Sequence, residues 1–283
     1  MDLQKRIDNY LLKALEDESD MSEEVIERFG KRCKDAIRRQ FNGKKHEHTL
    51  RMSTIGKPLC QQQMDKSGAE REAPPPSLKM KYAYGDMVEA LVMAILEDSG
   101  AKVDSYQEEV KYDLGAANIK GTLDVVIDGV VYDIKSASKY SFKSKFANKK
   151  DGFEKIVRDD PFGYVPQGYL YGAAKGLPFG GWIAFNKETG EIAVCKTPKN
   201  GDAYQRVALN KARKNAKSLV NDEPFERCFK KEKEMVKRKY TKNHTLALNC
   251  RYCHFKKSCW GDELIFCKNP RGATFRWYFG EPV

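Results

Sequence analysis

Gly121-Thr-Leu-Asp124-Val-Val-Ile-Asp128-Gly129-Val-Val-Tyr-Asp133-Ile-Lys135 decides the fold of this chain. Asp128-Gly129 between two β-branched runs is a strong signal for a tight two-residue hairpin. Folding there pairs residues whose numbers sum to about 257, which sets Asp124 directly across from Asp133. Alternate strand residues share a face, so Asp133 and Lys135 project together while Ile134 turns into the core. Two opposed carboxylates on a sheet repel each other. They become favourable when a divalent cation sits between them, and Mg²⁺ or Mn²⁺ takes such hard oxygen ligands. A protonated Lys135 is no ligand; it can stabilise charge on an attacked phosphate or orient a water.

Outward from the hairpin, residues 106–114, 118–127 and 130–136 read as strands, and 181–196 as a second hairpin turning near Thr189-Gly190. Helical spacing marks 1–17 (Leu3, Ile7, Leu11, Leu15), 22–41 (Val25, Ile26, Phe29, Cys33, Ile37), 80–99 (Met80, Tyr84, Met87, Val88, Leu91, Ile95, Leu96), 163–176 and 202–220. Asp20 or Ser22 suits the cap of the second helix, and Asn42-Gly43 its end. The segment 66–79, with Pro74-Pro75-Pro76, reads as a flexible loop. Strands interleaved with helices give an α/β domain with a mixed central β-sheet flanked by helices. No G-x-x-x-x-G-K-[ST] phosphate loop is present, which argues against an ATP motor.

The pattern Asp124-x8-Asp133-x-Lys135 resembles the PD-(D/E)xK nuclease signature. Flanking motifs are similar to the RecB-like exonuclease branch: Tyr84-Gly-Asp-Met-Val-Glu89 upstream, and Gln167-Gly-Tyr-Leu-Tyr171 (Q-x-x-x-Y) downstream. The resemblance implies a restriction-endonuclease-like core. It also implies Glu89 as a further metal ligand beside Asp124, Asp133 and the backbone carbonyl of Ile134. Gln167 and Tyr171, one helical turn apart, would position Lys135 and the DNA backbone. Many RecB-like members carry His where Glu89 stands, and lambda-exonuclease-like members an acid.

Eight cysteines in a chain read as intracellular (cytoplasmic), where disulfides are rare, raise the question of a metal. Cys250-x2-Cys253-x5-Cys259 provides three thiolates on one short segment among Arg251, Lys256 and Lys257. A tetrahedral site needs a fourth ligand, with Cys33, Cys60, Cys195, Cys228, Cys267 and His254 as candidates. Spacing alone does not separate zinc from an iron–sulfur cluster. The array resembles that of the CRISPR-associated Cas-four and AddB-type nucleases, which implies a structural [4Fe–4S] cluster, with Zn²⁺ the alternative. Arg51-Met-Ser…Cys60 is similar to the upstream element of that family and nominates Cys60. Gln61-Gln62-Gln63 departs from the usual continuation, which weakens the carry-over of a DNA contact there but leaves Cys60 as the nominated ligand.

Lys and Arg total 51 against 40 Asp and Glu, a net charge of +11 over 283 residues. Residues 227–257 carry eleven Lys/Arg and two Glu, a net +9. Lys139, Lys143, Lys145, Lys149 and Lys150 form a second run, with Tyr140, Phe142 and Phe146 interleaved. Basic runs with aromatics suit a polyanion such as DNA, and Arg51, Lys139, Lys143 and Lys145 are the nominated contacts. With 41% hydrophobic residues a sizeable core is affordable, and no apolar stretch approaches a transmembrane span.

Together these readings give a helical extension over 1–49, a nuclease domain over 50–267 closed by a Cys-rich segment, and an aromatic tail over 268–283. The expected activity is metal-dependent exonuclease action on single-stranded DNA or duplex ends. The resemblance places it in recombination, repair or CRISPR adaptation, in a prokaryote or phage, often with 5′→3′ polarity. A homo-oligomer or a protein partner from recombination or adaptation fits the same resemblance. The competing expectations are a non-cutting, zinc-stapled nucleic-acid-binding module and a sequence- or structure-specific endonuclease.

Overall fold

Asp128 and Gly129 both adopt left-handed backbone, φ 50° and 73°, the geometry of a two-residue type I′ turn. In the computed structural model, which describes residues 2–43, 48–199, 201–270 and 274–283, this turn joins β2 (Asn118–Ile127) to β3 (Val130–Ala137). The pairs Val125–Tyr132, Val126–Val131 and Ile127–Val130 fix the register that brings Asp124 opposite Asp133. Strands β1 (Val103–Asp113), β4 (Phe179–Asn186) and β5 (Ile192–Lys196) complete a five-stranded sheet in the order β1-β2-β3-β4-β5. Strands β3 and β4 run parallel and the other neighbours antiparallel, so the sheet is mixed.

The helices are α1 (Leu3–Leu15), α2 (Glu23–Phe41), α3 (Met52–Ile55), α4 (Leu59–Lys66), α5 (Ser77–Asp98), α6 (Lys139–Ser141), α7 (Gly152–Arg158), α8 (Tyr164–Lys175) and α9 (Gly201–Val220). A π-helical turn, Phe142–Phe146, continues α6. The parallel pairing of β3 and β4 needs a crossover, supplied by α6 through α8.

Each sheet face buries its own apolar cluster. Val131, Leu170, Trp182, Ala212 and Met52 belong to the face covered by α3, α8 and α9. Val88, Val92, Leu96, Val125, Ile134 and Ile183 belong to the face covered by α5 and α1. Strand alternation therefore sends Ile134 to the α5 side and Asp133 and Lys135 to the α8 side.

Local signals explain most helix limits, with corrections. Asp2 caps α1 by accepting from Gln4 N at 3.0 Å. Ser22 stands at the cap of α2, but its side chain makes no capping hydrogen bond. The buried stripe of α2 runs through Val25 and Ala36, leaving Ile26 and Ile37 exposed rather than on the core face. Arg32 and Glu97 form an ion pair across to α5, with Arg28 3.1 Å from the same carboxylate. Polar pairing thus rotates α2 away from its most apolar line. In α5, similarly, Val88, Val92, Ile95 and Leu96 are buried while Met80, Tyr84, Met87 and Leu91 are exposed. That helix begins at Ser77, directly after the prolines, so the loop ends there and not at 79.

The Cys-rich segment and the tail are more ordered together than their sequence suggested. β6 (Glu232–Val236), β7 (Lys239–Thr245), β8 (Leu264–Lys268) and β9 (Phe275–Phe279) form a second antiparallel sheet, order β6-β7-β9-β8, with α10 (Leu248–Arg251) and α11 (Lys256–Trp260) between β7 and β8. The expected boundary at 267 falls inside β8, whose partner β9 comes from the tail. Residues 44–47 of the expected extension and 271–273 of the tail lie outside the described residues. Among the described residues no helix is long and apolar enough to cross a membrane.

Candidate active site and cysteine cavity

β3 delivers Asp133 fully buried, its Oδ2 2.6 Å from Lys135 Nζ two residues on. Its Oδ1 accepts from Gln167 Nε2 at 3.2 Å, and the same amide nitrogen donates to Tyr171 Oη at 3.2 Å. Gln167 and Tyr171 share one face of α8, and that face points at the end of the hairpin. Asp124 reaches across from β2, where its Oδ2 accepts from Ile134 N at 2.8 Å. The two carboxylates lie within hydrogen-bond reach of each other.

Electrostatics at this point are unfavourable without a cation. Burial first, and then Asp133, pushes the Asp124 carboxyl up to about 7. Burial also raises Asp133, against the pull of Lys135. Burial would lower Lys135, but Asp133 and Asp124 outweigh it and hold the ammonium charged. Glu89, on α5, is raised to about 8 by burial and then by Asp124. Its Oε1 accepts from Gln107 Nε2 at 2.5 Å, so it is turned onto β1.

Gln107 was not legible as a site residue. It sits in β1 at φ 48°, a left-handed conformation that costs a non-glycine residue of order 1 kcal/mol or more. Its side chain is spent on a carboxylate of the site. No motif flags a single polar residue inside a strand; the positive φ appears only in three dimensions.

Among the described residues, no three His, Cys, Asp or Glu side chains stand at metal-ligand spacing. In donor chemistry the carboxylates still suit a hard divalent cation: two adjacent carboxyls with raised proton affinity, a third nearby, and a buried Asp133 Oδ2 with no hydrogen bond beyond its ion pair.

Glycine at 121 is required by this packing. A Cβ there would lie 2.7 Å from Tyr171 Cε1 and 2.9 Å from Met52 Cβ. The bare backbone of β2 is what lets the tyrosine ring seat against the hairpin.

Of the nominated DNA contacts, Arg51, Lys139 and Lys143 are exposed. Lys145 is not free: half-buried in the π-helical turn, its Nζ is 2.7 Å from Asp159 Oδ2 and 2.8 Å from Asp159 O. The turn consumes that charge internally, so Lys145 ties 142–146 to 159 instead of facing outward.

Cys60, Cys250, Cys253 and Cys259 line one cavity together with Pro58, Met64, Phe229, Phe255 and Trp260. Four positions 190 or more residues apart at the extremes thus meet, at the N-terminus of α4 and around α10 and α11. A fifth cysteine joins them: Cys228 Sγ accepts from Cys60 N at 3.1 Å. The Cys60–Cys228 hydrogen bond lowers Cys228 to about 6 and raises Cys60. Burial, then Cys253, raises Cys250 to about 12. Cys228 was one of several candidate fourth ligands, and nothing in its spacing singled it out. The free volume is about 20 Å³, room for roughly one water-sized sphere. The four thiols line this space without standing at metal-ligand spacing, so a zinc ion or an iron–sulfur cluster would each need them to move.

The loop over 67–76, expected to be a free excursion, is fastened to this segment. Glu72 N donates to His254 O at 2.8 Å, Ser258 Oγ donates to Glu70 O at 2.6 Å, and Lys256 forms an ion pair with Glu72. An aromatic ladder then links the cysteine segment to the carboxylates. Lys135 Nζ lies 5.1 Å from the Tyr164 ring centroid, Tyr164 stacks on Phe162 at 5.4 Å, and Phe162 meets Tyr252 at 5.3 Å.

No protein-family model matches this chain, and no curated protein matches it. Among solved structures it is similar to SSO0001, at 13% identity and TM-score 0.43, over 82% of this chain and 95% of that one. A protein from Eubacterium rectale that carries a provisional exonuclease name is similar at 16% identity and TM-score 0.40, over 73% of this chain and 88% of that one.

Proposed function

We propose that the chain is a metal-dependent deoxyribonuclease that removes nucleotides from single-stranded DNA or duplex ends. The observation that carries this reading is the buried Asp124–Asp133–Lys135 constellation fixed by Gln167. Three carboxyls with raised proton affinity around one ammonium are costly to fold and serve no packing purpose.

Glu89, Asp124, Asp133 and the Ile134 carbonyl would hold Mg²⁺ or Mn²⁺. Such an ion, when bound, polarises a phosphoryl oxygen and lowers the pKa of a water. Lys135, kept charged and aimed by Asp133, stabilises negative charge developing on the phosphate and orients the attacking water. Gln167 holds the Asp133 carboxylate in place, and Tyr171 holds Gln167. Gln107 orients Glu89 through the hydrogen bond to its Oε1. Arg51, Lys139 and Lys143 are available for the DNA backbone. The resemblance, more than any observed distance, supports a role in recombination, repair or CRISPR adaptation.

Asp124→Ala and Lys135→Ala are assayed beside wild type with Mn²⁺ on a labelled linear strand. Each should lose cutting by about a hundredfold or more; undiminished activity in either sinks the assignment. A circular single strand should survive wild-type enzyme, and its nicking would convert the reading to an endonuclease.

The cysteine cavity is a second metal site in the same proposal, with Cys60, Cys250, Cys253 and Cys259 as ligands. The resemblance supports [4Fe–4S], and four thiols around one cavity are equally a donor set for zinc. Metal analysis and an absorption spectrum of anaerobically purified protein separate them: brown, iron-containing protein or colourless, zinc-containing protein.

A further inference from the structure

The β6–β7 hairpin turns at Lys237-Arg238, with φ 49° and 66°. A two-residue turn with both central residues left-handed ordinarily carries Asn-Gly, because side chains there are strained. Here the two positions are occupied by long cations, with Lys239 next in line. Nothing in the fold calls for charge at that tip. Among the described residues, Lys233, Lys237, Arg238, Lys239 and Lys242 make no ion pair.

The hairpin has two unlike faces. Glu234 is buried on one, accepting from Thr241 Oγ1 at 3.0 Å, Asn243 Nδ2 at 2.9 Å and Tyr278 Oη at 2.8 Å. Asn243 also exchanges hydrogen bonds with Val283, so the base of the hairpin is fixed to β9 and the chain end. On the other face Met235 pairs directly with Tyr240, and both are exposed, at 59% and 73%. The register shifts between Lys233 and Met235, and Lys233 and Lys242 on either strand of this irregularity are exposed. The result is a two-stranded ribbon, fastened at its base, with an exposed apolar–aromatic pair near a cationic tip.

We infer that this hairpin is a nucleic-acid contact of its own, in which Tyr240, supported by Met235, stacks on a base of single-stranded DNA while Lys237, Arg238 and Lys239 engage its phosphates. Stacking on an aromatic needs no sequence, since every base has a π-face. The charge matches a phosphate backbone, and the backbone strain at the tip is explained if cations there bind something. The inference deepens the nuclease reading by naming a strand-holding element remote in sequence from Asp133.

The test is fluorescence anisotropy of a labelled oligodeoxythymidine with the full chain in EDTA, across a salt series, beside Mn²⁺ cutting assays. Tyr240→Ala should weaken binding about tenfold and Tyr240→Trp less than twofold. The double change Lys237→Asn with Arg238→Gly should raise the melting temperature, weaken binding, and reduce the log–log salt slope by about 1.4, since two contacts are lost at about 0.7 each. Tyr240→Ala affinity within twofold of wild type overturns the inference. So does unchanged DNA affinity with lost binding to phosphatidylserine vesicles, which would make the hairpin a membrane contact. Wild type that binds through Tyr240 but does not cut removes the nuclease reading and leaves the hairpin standing. Wild type that cuts while Tyr240→Ala binds normally removes only the hairpin.

Discussion

Lys135 shows how much chemistry one residue borrows from its neighbours. Alone, a buried lysine loses its proton; beside Asp133 and Asp124 it keeps it, which the proposed nuclease chemistry requires. Two neighbouring positions test the supporting geometry. Gly121→Ala forces a Cβ into Tyr171 and Met52, and should cost about 1–3 kcal/mol in urea unfolding while slowing cutting through a displaced Tyr171. Gln107→Gly relieves a left-handed glutamine and frees Glu89. Because the orienting hydrogen bond to Glu89 is lost, it should lower Mn²⁺-dependent cutting, and a variant that cuts like wild type would show that Gln107 is ordinary strand surface. The two aspartates, the lysine, Gln167 and Tyr171 were legible from spacing or motif, because a hairpin register and a helical turn are local geometry. Gln107 was not, because its role depends on α5 and β1 meeting.

At the scale of elements, helix α2 illustrates polar docking. Arg28 and Arg32 surround Glu97 of α5, and farther along Arg39 and Gln40 both reach Asp86 of the same helix. Burial tends to raise Glu97, but the hydrogen bonds and charge of the two arginines leave it below its ordinary value. A depressed carboxyl contributes stability above its unfolded pKa, and that contribution is lost as pH falls through the folded value. Glu97→Gln should therefore speed amide exchange in 23–41 at neutral pH, with the gap to wild type closing as the medium becomes acidic. An equal gap at all pH values would mean that packing, not charge, holds the helix. The exposure of Ile26 and Ile37 follows from the same pairing, and hydropathy periodicity does not register a guanidinium–carboxylate contact. The strands were read more closely, since period-two alternation and turn residues act within a few positions.

The whole molecule is two sheets joined by the cysteine segment and the loop over 67–76. Tyr252 lies between Cys250 and Cys253 and reaches Lys135 through Phe162 and Tyr164. Under the proposal that Cys60, Cys250, Cys253 and Cys259 hold a metal, its loss should loosen both ends of that ladder. Chelation, or Cys253→Ser, is expected to increase amide exchange in 59–76 and 248–260 and to reduce cutting, while the core strands β2, β3 and β4 stay protected. Exchange that rises uniformly across the chain would mean that the cysteines support global stability instead.

Features that depend on neighbours along the chain were legible before the fold was known: the Asp128-Gly129 turn, the opposition of Asp124 and Asp133, the mixed order of strands and helices, and the triple-cysteine array. The tertiary structure decided which distant groups meet. It brought Cys60 and Cys228 to that array, turned Glu89 onto Gln107, consumed the charge of Lys145 on Asp159, and folded the aromatic tail into a sheet with the Cys-rich segment. The physical reason is that strand and turn geometry is fixed by a few adjacent dihedrals. Burial, ion pairing and proton sharing are fixed by groups that only the completed fold places within a few ångströms of each other.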